Sequence, residues 1–385
     1  MKILMGSILN FDRDINGVVV SARELMKELQ DATHQVELVT PYKRNRSRVA
    51  RMIMEKSGTA FKVSNHTIFF IINLLMKLWI ILVSSWRIRE EVDVLHAHDP
   101  VTALAFRLVA QARHTVLLQT HFNGSPSLEF VSAGYIPKNG ISHNMIQSIF
   151  SRILRSNRLK LVAVSEHSKY EVQRIAGERK DEPFVLYPGI PSNHGAEKLR
   201  HEGISIINVG SIESRKNQLL AIELISELKS VGIAPHLHFV GSMHDAYKQK
   251  LQERIAQLDL SDQVHFHGQL SIDETRNLIH RADLYLHTAT EESFGRVIVE
   301  AISTGTPVLA HEYPAIWEIL DDESVLRNGM AISEQAAHLK EILTNTNRLI
   351  SIKRRQYSNY LMKFTPEIML RDYTQIIAAQ AAARI

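Results

Sequence analysis

The sequence predicts an α/β chain folded as two doubly wound parallel sheets. Three observations carry this. Short β-branched runs alternate with amphipathic stretches from end to end, the signature of parallel strands joined by helices. At 385 residues, 45% of them apolar and 22% charged, the chain exceeds one module of roughly 150 residues and can fill two cores. Near its middle, residues 188–203 (PGIPSNHGAEKLRHEG) are rich in Gly, Pro and polar side chains and read as a linker that halves the chain.

The first series of expected strands is Lys2 to Gly6, Val36 to Thr40, Val94 to His96, Thr115 to Gln119, Leu161 to Val164 and Phe184 to Leu186. The second is Ser205 to Val209, His236 to Val240, Val264 to Phe266, Leu284 to His287 and Val308 to Ala310. Each is a short apolar run bounded by turn residues, as strands covered on both faces should be. The expected domains are therefore 1–190 and 200–365, with a final helix over 366–385 crossing back onto the first. Doubly wound sheets bind ligands outside the carboxyl ends of their strands, so a cleft between the domains is the expected site.

Composition excludes several classes. The chain has no Cys, which removes disulfide scaffolds, thiolate metal sites and cysteine nucleophiles. The start, MKILMGSILNFDRD, does not read as a secretory signal, so a cytoplasmic location is expected. Net charge is +4, yet residues 41–56 (PYKRNRSRVARMIMEK) hold six bases and one acid, and the remainder is close to neutral. One basic patch, rather than a general positive coat, argues against nucleic acid as a partner and for a local anionic contact.

Residues 67–86 (TIFFIINLLMKLWIILVSSW) follow that patch. The apolar part, Ile68 to Val83, is interrupted by Asn73 and Lys77 and is shorter than the ~20 residues of a bilayer span. It reads as a buried helix feeding the strand VDVLHAHD, or as a helix lying on a membrane surface, or as a span.

The most informative stretch is residues 288–310, TATEESFGRVIVEAISTGTPVLA. A strand ends near His287, a loop follows, and a helix from about Gly295 to Ser303 closes at Gly305 and Pro307. Were both helical, Glu292 and Glu300 would stand about 12 Å apart along the axis, beyond the roughly 5–10 Å of paired glycosidase carboxylates. A diphosphate seated on the helix amino terminus at Phe294, Gly295 and Arg296 fits better, with Glu292 on a sugar and Glu300 on a ribose. Ordinary helix-start and surface acids are the competing structural reading.

Glu292, Phe294, Gly295 and Glu300, followed by EAISTGTPVLA, resemble the E-x-F-G-x-x-x-x-E pattern of the retaining glycosyltransferases of family 4, whose fold is GT-B: two doubly wound Rossmann-like domains facing a cleft. The other landmarks follow in order: INGVVVSARELMKELQDATHQVELVT with Gly17, VDVLHAHDP, VLLQTHF with His121, LVAVSEHSKYEV, LYPGI, VGSIESRKNQLLAIELI with Lys216, and VHFHGQLSIDETRNLIHRADLYLHTA. Residues 43–90 are the least typical.

The resemblance implies a transferase moving a hexose-type sugar from a nucleotide-diphosphate sugar, UDP-linked by the family's habit, to a glycan, lipid-linked or small-molecule acceptor. It implies retention of configuration and no metal or other cofactor. By that analogy Glu292 contacts the donor sugar, Glu300 the ribose, and amides near Ser293, Phe294, Gly295 and Arg296 the sugar and diphosphate. Lys216, opening the first helix of the second domain, neutralises the leaving diphosphate beside Gly210, and His121 stands near the reacting sugar. The family's Arg after this Gly is Ser211 here, with Arg215 beside Lys216 as a partial substitute. Its N-G after the last strand of the first domain appears as Pro188 and Gly189, and its later Gly-rich turn as HEYPAIWEIL. The pairs HAHD, HLHF and HFH have i, i+2 spacing on strands and read as structural rather than metal-binding. Alternative readings are a phosphorylase or epimerase of the same fold, or a sugar-nucleotide binding protein without catalysis. Implied partners are the donor, the acceptor and an anionic membrane surface met through residues 43–86.

Overall fold

A computed structural model describes residues 1–12, 16–42, 66–121, 136–138, 140–192, 203–243 and 245–382. The basic residues 43–56, the loop FNGSPS at 122–127 and residues 193–202 of the linker lie outside them. The chain divides into two compact units, Met1–Gly189 with Pro366–Ile385, and Ile190–Thr365.

The first unit runs β1 (Lys2–Gly6), α1 (Gly17–Asp31), β2 (Gln35–Val39), α2 (His66–Ile88), β3 (Val94–Ala97), α3 (Pro100–Val109), β4 (Thr115–Thr120), α4 (Ile141–Leu154), β5 (Lys160–Ala163), α5 (Glu166–Ala176) and β6 (Phe184–Val185). The helix Pro366–Ala382, α12 below, completes it. All pairings are parallel, in the order β2-β1-β3-β4-β5-β6. Every residue of β3 and β4 is buried, because helices cover both faces. On one face α2, α3, α4 and α5 pack over Leu95, Leu118 and Leu161. On the other, α1 and α12 enclose Met5, Leu117 and Val162, with Met369 and Tyr373 supplied by α12.

Local chemistry fixes the helix starts. Asn16 accepts from the Val19 amide at 3.0 Å, and Asp99 from the Thr102 amide at 2.8 Å with Pro100 in the first turn. Arg179, only 4% exposed, donates to the carbonyls of Leu154, Ser156 (3.0 Å) and Leu159 (2.7 Å) and pairs with Asp181, closing the end of α4.

The second unit runs β7 (Ser205–Val209), α6 (Gln218–Ser230), β8 (His236–Val240), α7 (Asp245–Gln257), β9 (Val264–Phe266), α8 (Ile272–Arg281), β10 (Leu284–His287), α9 (Arg296–Ser303), β11 (Val308–His311), β12 (Val325–Leu326), α10 (Ile332–Thr344) and α11 (Thr346–Lys363). Its parallel order is β12-β11-β10-β7-β8-β9. Strand order therefore reverses between β7 and β10, and in the first unit between β1 and β3.

Two expectations need correction. Lys216 does not open a helix: it ends the 3-10 turn Ser214–Lys216, and left-handed Asn217 (φ 49°) separates it from α6. The helix after Glu292 runs Arg296–Ser303, as expected, with Gly295 as its left-handed cap. The buried-helix reading of 67–86 holds for one side only of α2. Phe70, Ile81 and Ser85 are buried, whereas Ile72, Leu75, Trp79 and Trp86 are exposed. By length and composition, Phe70–Glu91 is long and apolar enough to cross a membrane. Its serines do not disturb the helix, since Ser84 and Ser85 donate to the carbonyls one turn back.

Candidate active site

In the second unit the predicted residues collect at the carboxyl ends of β7 and β10, the two strands flanking the reversal of order, where open α/β sheets bind ligands. After β7 come Gly210, Ser211, Arg215 and Lys216; after β10 come Glu292 to Arg296. Buried Asn208 on β7 donates to the Leu286 carbonyl (2.7 Å) and to Thr288 Oγ1 (3.2 Å). Thr288 Oγ1 donates to the Lys216 carbonyl at 2.9 Å, and the Thr290 amide to the Arg215 carbonyl at 3.3 Å. These bonds fix the Lys216 turn against the Glu292 loop.

Lys216 Nζ donates to Glu292 Oε1, with both side chains largely buried. Arg215 Nη1 stands 3.8 Å from Glu292 Oε2, while its Nη2 donates to Glu213 Oε1 at 2.9 Å. His287 Nε2 is 3.8 Å from Glu292 Oε1. Burial pushes the Glu292 carboxyl up, but Lys216, His287 and Arg215 outweigh it and hold it below the usual range, so it is ionised at neutral pH. Burial pushes His287 down to about 4, so that ring is neutral there. Gly210 lies under the Lys216 side chain: a Cβ there would stand 3.4 Å from Lys216 Cε. Ser211 holds the turn through its carbonyl, which accepts from Gln218 Nε2 at 2.9 Å.

Gly295 has φ 99°, and a Cβ there would fall 2.3 Å from the Tyr313 hydroxyl, which donates to the Phe294 carbonyl at 3.3 Å. Glycine is thus required by conformation and by space. Phe294 is buried edge-on against Phe364, which anchors the loop beside the positive end of α9. One turn into α9, Glu300 accepts from Arg296 Nε at 2.9 Å. Ser293 lies between Glu292 and Phe294 in this loop.

Gly17 and His121 belong to the first unit. Gly17 is the first residue of α1, and a Cβ there would meet nothing within 4 Å. His121 follows β4, its Nε2 3.4 Å from His98 Nδ1. His98 stacks on His96 at 4.5 Å, and His96 Nδ1 lies 3.2 Å from the Tyr373 hydroxyl. Burial holds His96 down to about 3 and His121 to about 4, so the column is neutral at physiological pH. In the second unit, HLHF and HFH meet across β8 and β9. His236 Nδ1 lies 3.1 Å from His265 Nε2, and His238 Nδ1 3.0 Å from His267 Nε2. Among the described residues no group of three or more His, Asp or Glu is arranged to hold a metal ion.

Sequence reasoning missed Asn208, Thr288, His287 and Tyr313. Only the run LYLHTA, polar at the end of a buried strand, signalled any of them.

Two family profiles match in tandem. Residues 15–194 match the family described as Glycosyltransferase Family 4, and residues 190–363 the one described as Glycosyl transferases group 1. The chain belongs to this family of glycosyltransferases and has the GT-B fold. Among its relatives, the phosphatidylinositol N-acetylglucosaminyltransferase GPI3 subunit of Saccharomyces cerevisiae (strain YJM789) is 23% identical over 69% of this chain and 57% of its own length. The O-antigen chain mannosyltransferase RfbU of Salmonella typhimurium is 23% identical over 58% of this chain and 61% of its own. The matched stretch thus spans about three-fifths of each relative. Of solved structures, HepE of Anabaena in complex with UDP superposes with a TM-score of 0.69 at 18% identity, over 98% of this chain and 100% of that one.

Proposed function

We propose that the protein is a retaining, metal-independent hexosyltransferase that takes its sugar from a nucleotide-diphosphate donor, with UDP favoured, and serves cell-envelope polysaccharide or glycolipid synthesis at the cytoplasmic side of a membrane. The observation carrying this reading is the meeting of Lys216, Arg215 and Glu292 at the reversal of strand order, beside the amino terminus of α9. A diphosphate needs cations and amide donors in a water-poor site, and a sugar needs an ionised acceptor for its hydroxyls. Both are side by side here. The UDP held by HepE supports a uridine donor, and the GPI3 subunit and RfbU support a lipid-linked or polysaccharide acceptor.

In this reading the leaving diphosphate draws Lys216 and Arg215 onto itself. Glu292, released from them, binds sugar hydroxyls, and Glu300 the ribose. The acceptor attacks from the side of the departing phosphate and gives that phosphate its proton, so no protein carboxylate is needed as a nucleophile. The test is a thermal-shift panel with UDP, GDP, ADP and CDP, with and without magnesium, on wild type and Glu300→Ala. Ligand at a hundred times its Kd adds about 2.7 kcal/mol. A shift with UDP that is independent of magnesium and lost in the variant is expected; a shift untouched by Glu300→Ala overturns the site.

A further inference from the structure

We infer that α2, α3 and α4 of the first unit form one acid-free apolar face that docks on an anionic lipid bilayer. This deepens the proposed function and rests on it for the identity of the acceptor. The three helices pack side by side on the same face of the sheet. On α2, Ile72, Leu75, Trp79 and Trp86 are exposed, Trp79 by 65%. At 100° per residue they fall within about 60° of arc, opposite buried Phe70, Ile81 and Ser85. Two helices away, Ile141, Met145 and Ile149 form a second stripe at i, i+4 and i+8 on α4, with Ile141 exposed by 90%. Leu108 is exposed on α3 between them. Scattered apolar residues are ordinary on a surface, but two stripes with exposed Leu108 on the helix between them go beyond scatter.

Charge selects the occupant. The three helices carry no Asp or Glu; their bases are Lys77, on the side of α2 away from the exposed stripe, and Arg87, Arg107 and Arg152. None of these four bases is in an ion pair among the described residues. Arg89, just past α2, stacks over Trp86 at 3.7 Å and pairs with Glu90 at 3.4 Å, so acids enter only beyond the end of the helix. Within the helices, bases without acids beside exposed Trp and Ile suit the boundary between acyl chains and anionic headgroups. A protein partner or second copy would have to supply an acidic, apolar face, and the surface of this same patch supplies none.

Placement ties the face to the reaction. In a parallel sheet these helices start at the carboxyl ends of the strands, where Gly17 and His121 lie. Both stripes therefore begin at the ligand-binding edge, so an acceptor with its tail in the bilayer presents its headgroup there.

The experiment is flotation of the full chain with vesicles of phosphatidylcholine alone and with phosphatidylglycerol added, at low and high salt. It is run on wild type, on Leu75→Ser with Trp79→Ser, and on Met145→Ser with Ile149→Ser. Melting temperature and the UDP shift are measured on each, so that misfolding and failure of the donor site are seen separately. Expected is salt-sensitive binding to anionic vesicles only, weakened about tenfold by each double variant while the UDP shift stays as in wild type. Absence of wild-type flotation overturns the proposal, whether or not UDP binds. Flotation unaffected by the α4 pair overturns the shared face. A wild-type dimer that both pairs dissociate, without flotation, assigns the face to a second copy instead.

Discussion

Lys216 and Glu292, 76 residues apart in sequence, form an ion pair with side-chain exposures of only 14% and 16%. They meet because β7 and β10 are neighbours in the sheet although β8 and β9 separate them in the chain. The pair keeps each charge compensated where water is scarce, and under the proposed function a donor diphosphate would compete with Glu292 for the same ammonium.

That competition gives opposite effects on binding and rate. Glu292→Gln should bind UDP as tightly as wild type or tighter, since Lys216 is released, while transfer falls about 10²- to 10³-fold. Lys216→Met should lose UDP affinity as well as rate. Titration calorimetry with UDP and single-turnover kinetics separate the two, and a tenfold loss of UDP affinity in Glu292→Gln would contradict the arrangement.

Gly295 admits no side chain. Gly295→Ala places a Cβ against the Tyr313 hydroxyl at a positive φ, and should cost about 1–3 kcal/mol and most activity. Adding Tyr313→Phe removes the clashing oxygen but leaves φ at 99°, so chemical denaturation should show partial recovery only.

Acid stability is set largely by neutral buried histidines. His96 at about 3 and His287 at about 4 stay unprotonated in the fold where the unfolded chain, titrating near 6.5, takes up protons. More protons bound in the unfolded state means that stability falls as pH drops from 6.5 towards 4, by at most roughly 3 kcal/mol for each ring. Glu292, with its pKa lowered, adds a contribution present above the ordinary carboxylate value of 4.5 and lost as pH falls through its folded value. Melting temperature should be flat above pH 7 and decline below 6.5, and His287→Gln should make the decline shallower.

Arg179 is a structural rather than a catalytic cation. Arg179→Met removes the donor from the carbonyls of Leu154, Ser156 and Leu159 and leaves Asp181 with Lys160 alone, and should destabilise by about 2–4 kcal/mol. Urea unfolding of wild type and variant measures it, and the UDP shift of the folded fraction should not change.

Much of the fold was legible because buried parallel strands are short apolar runs with sharp ends. β1, β7, β8, β9 and β10 have the bounds that their sequences suggest. β12 escaped notice, since Val325 and Leu326 are too few to show any periodicity. Glu292 and Lys216 were visible as motif residues, but their pairing was not, because it depends on strand order. Asn208 and Thr288 are single polar residues whose purpose appears only when two strand ends are laced together. The histidine pairs HLHF and HFH gave no hint of each other, since their contact depends on the register that sets His238 opposite His265.

The first unit takes part of its core from α12, through Met369, Tyr373, Ile376 and Ile377. During synthesis, residues 1–189 emerge early yet must wait for the entire second unit before that face of their sheet is covered. The second unit is a single continuous segment and can close as soon as it is made. The half of the chain that starts first thus finishes last, and the exposed interval is when Ile3, Met5 and Leu117 are open to misassociation.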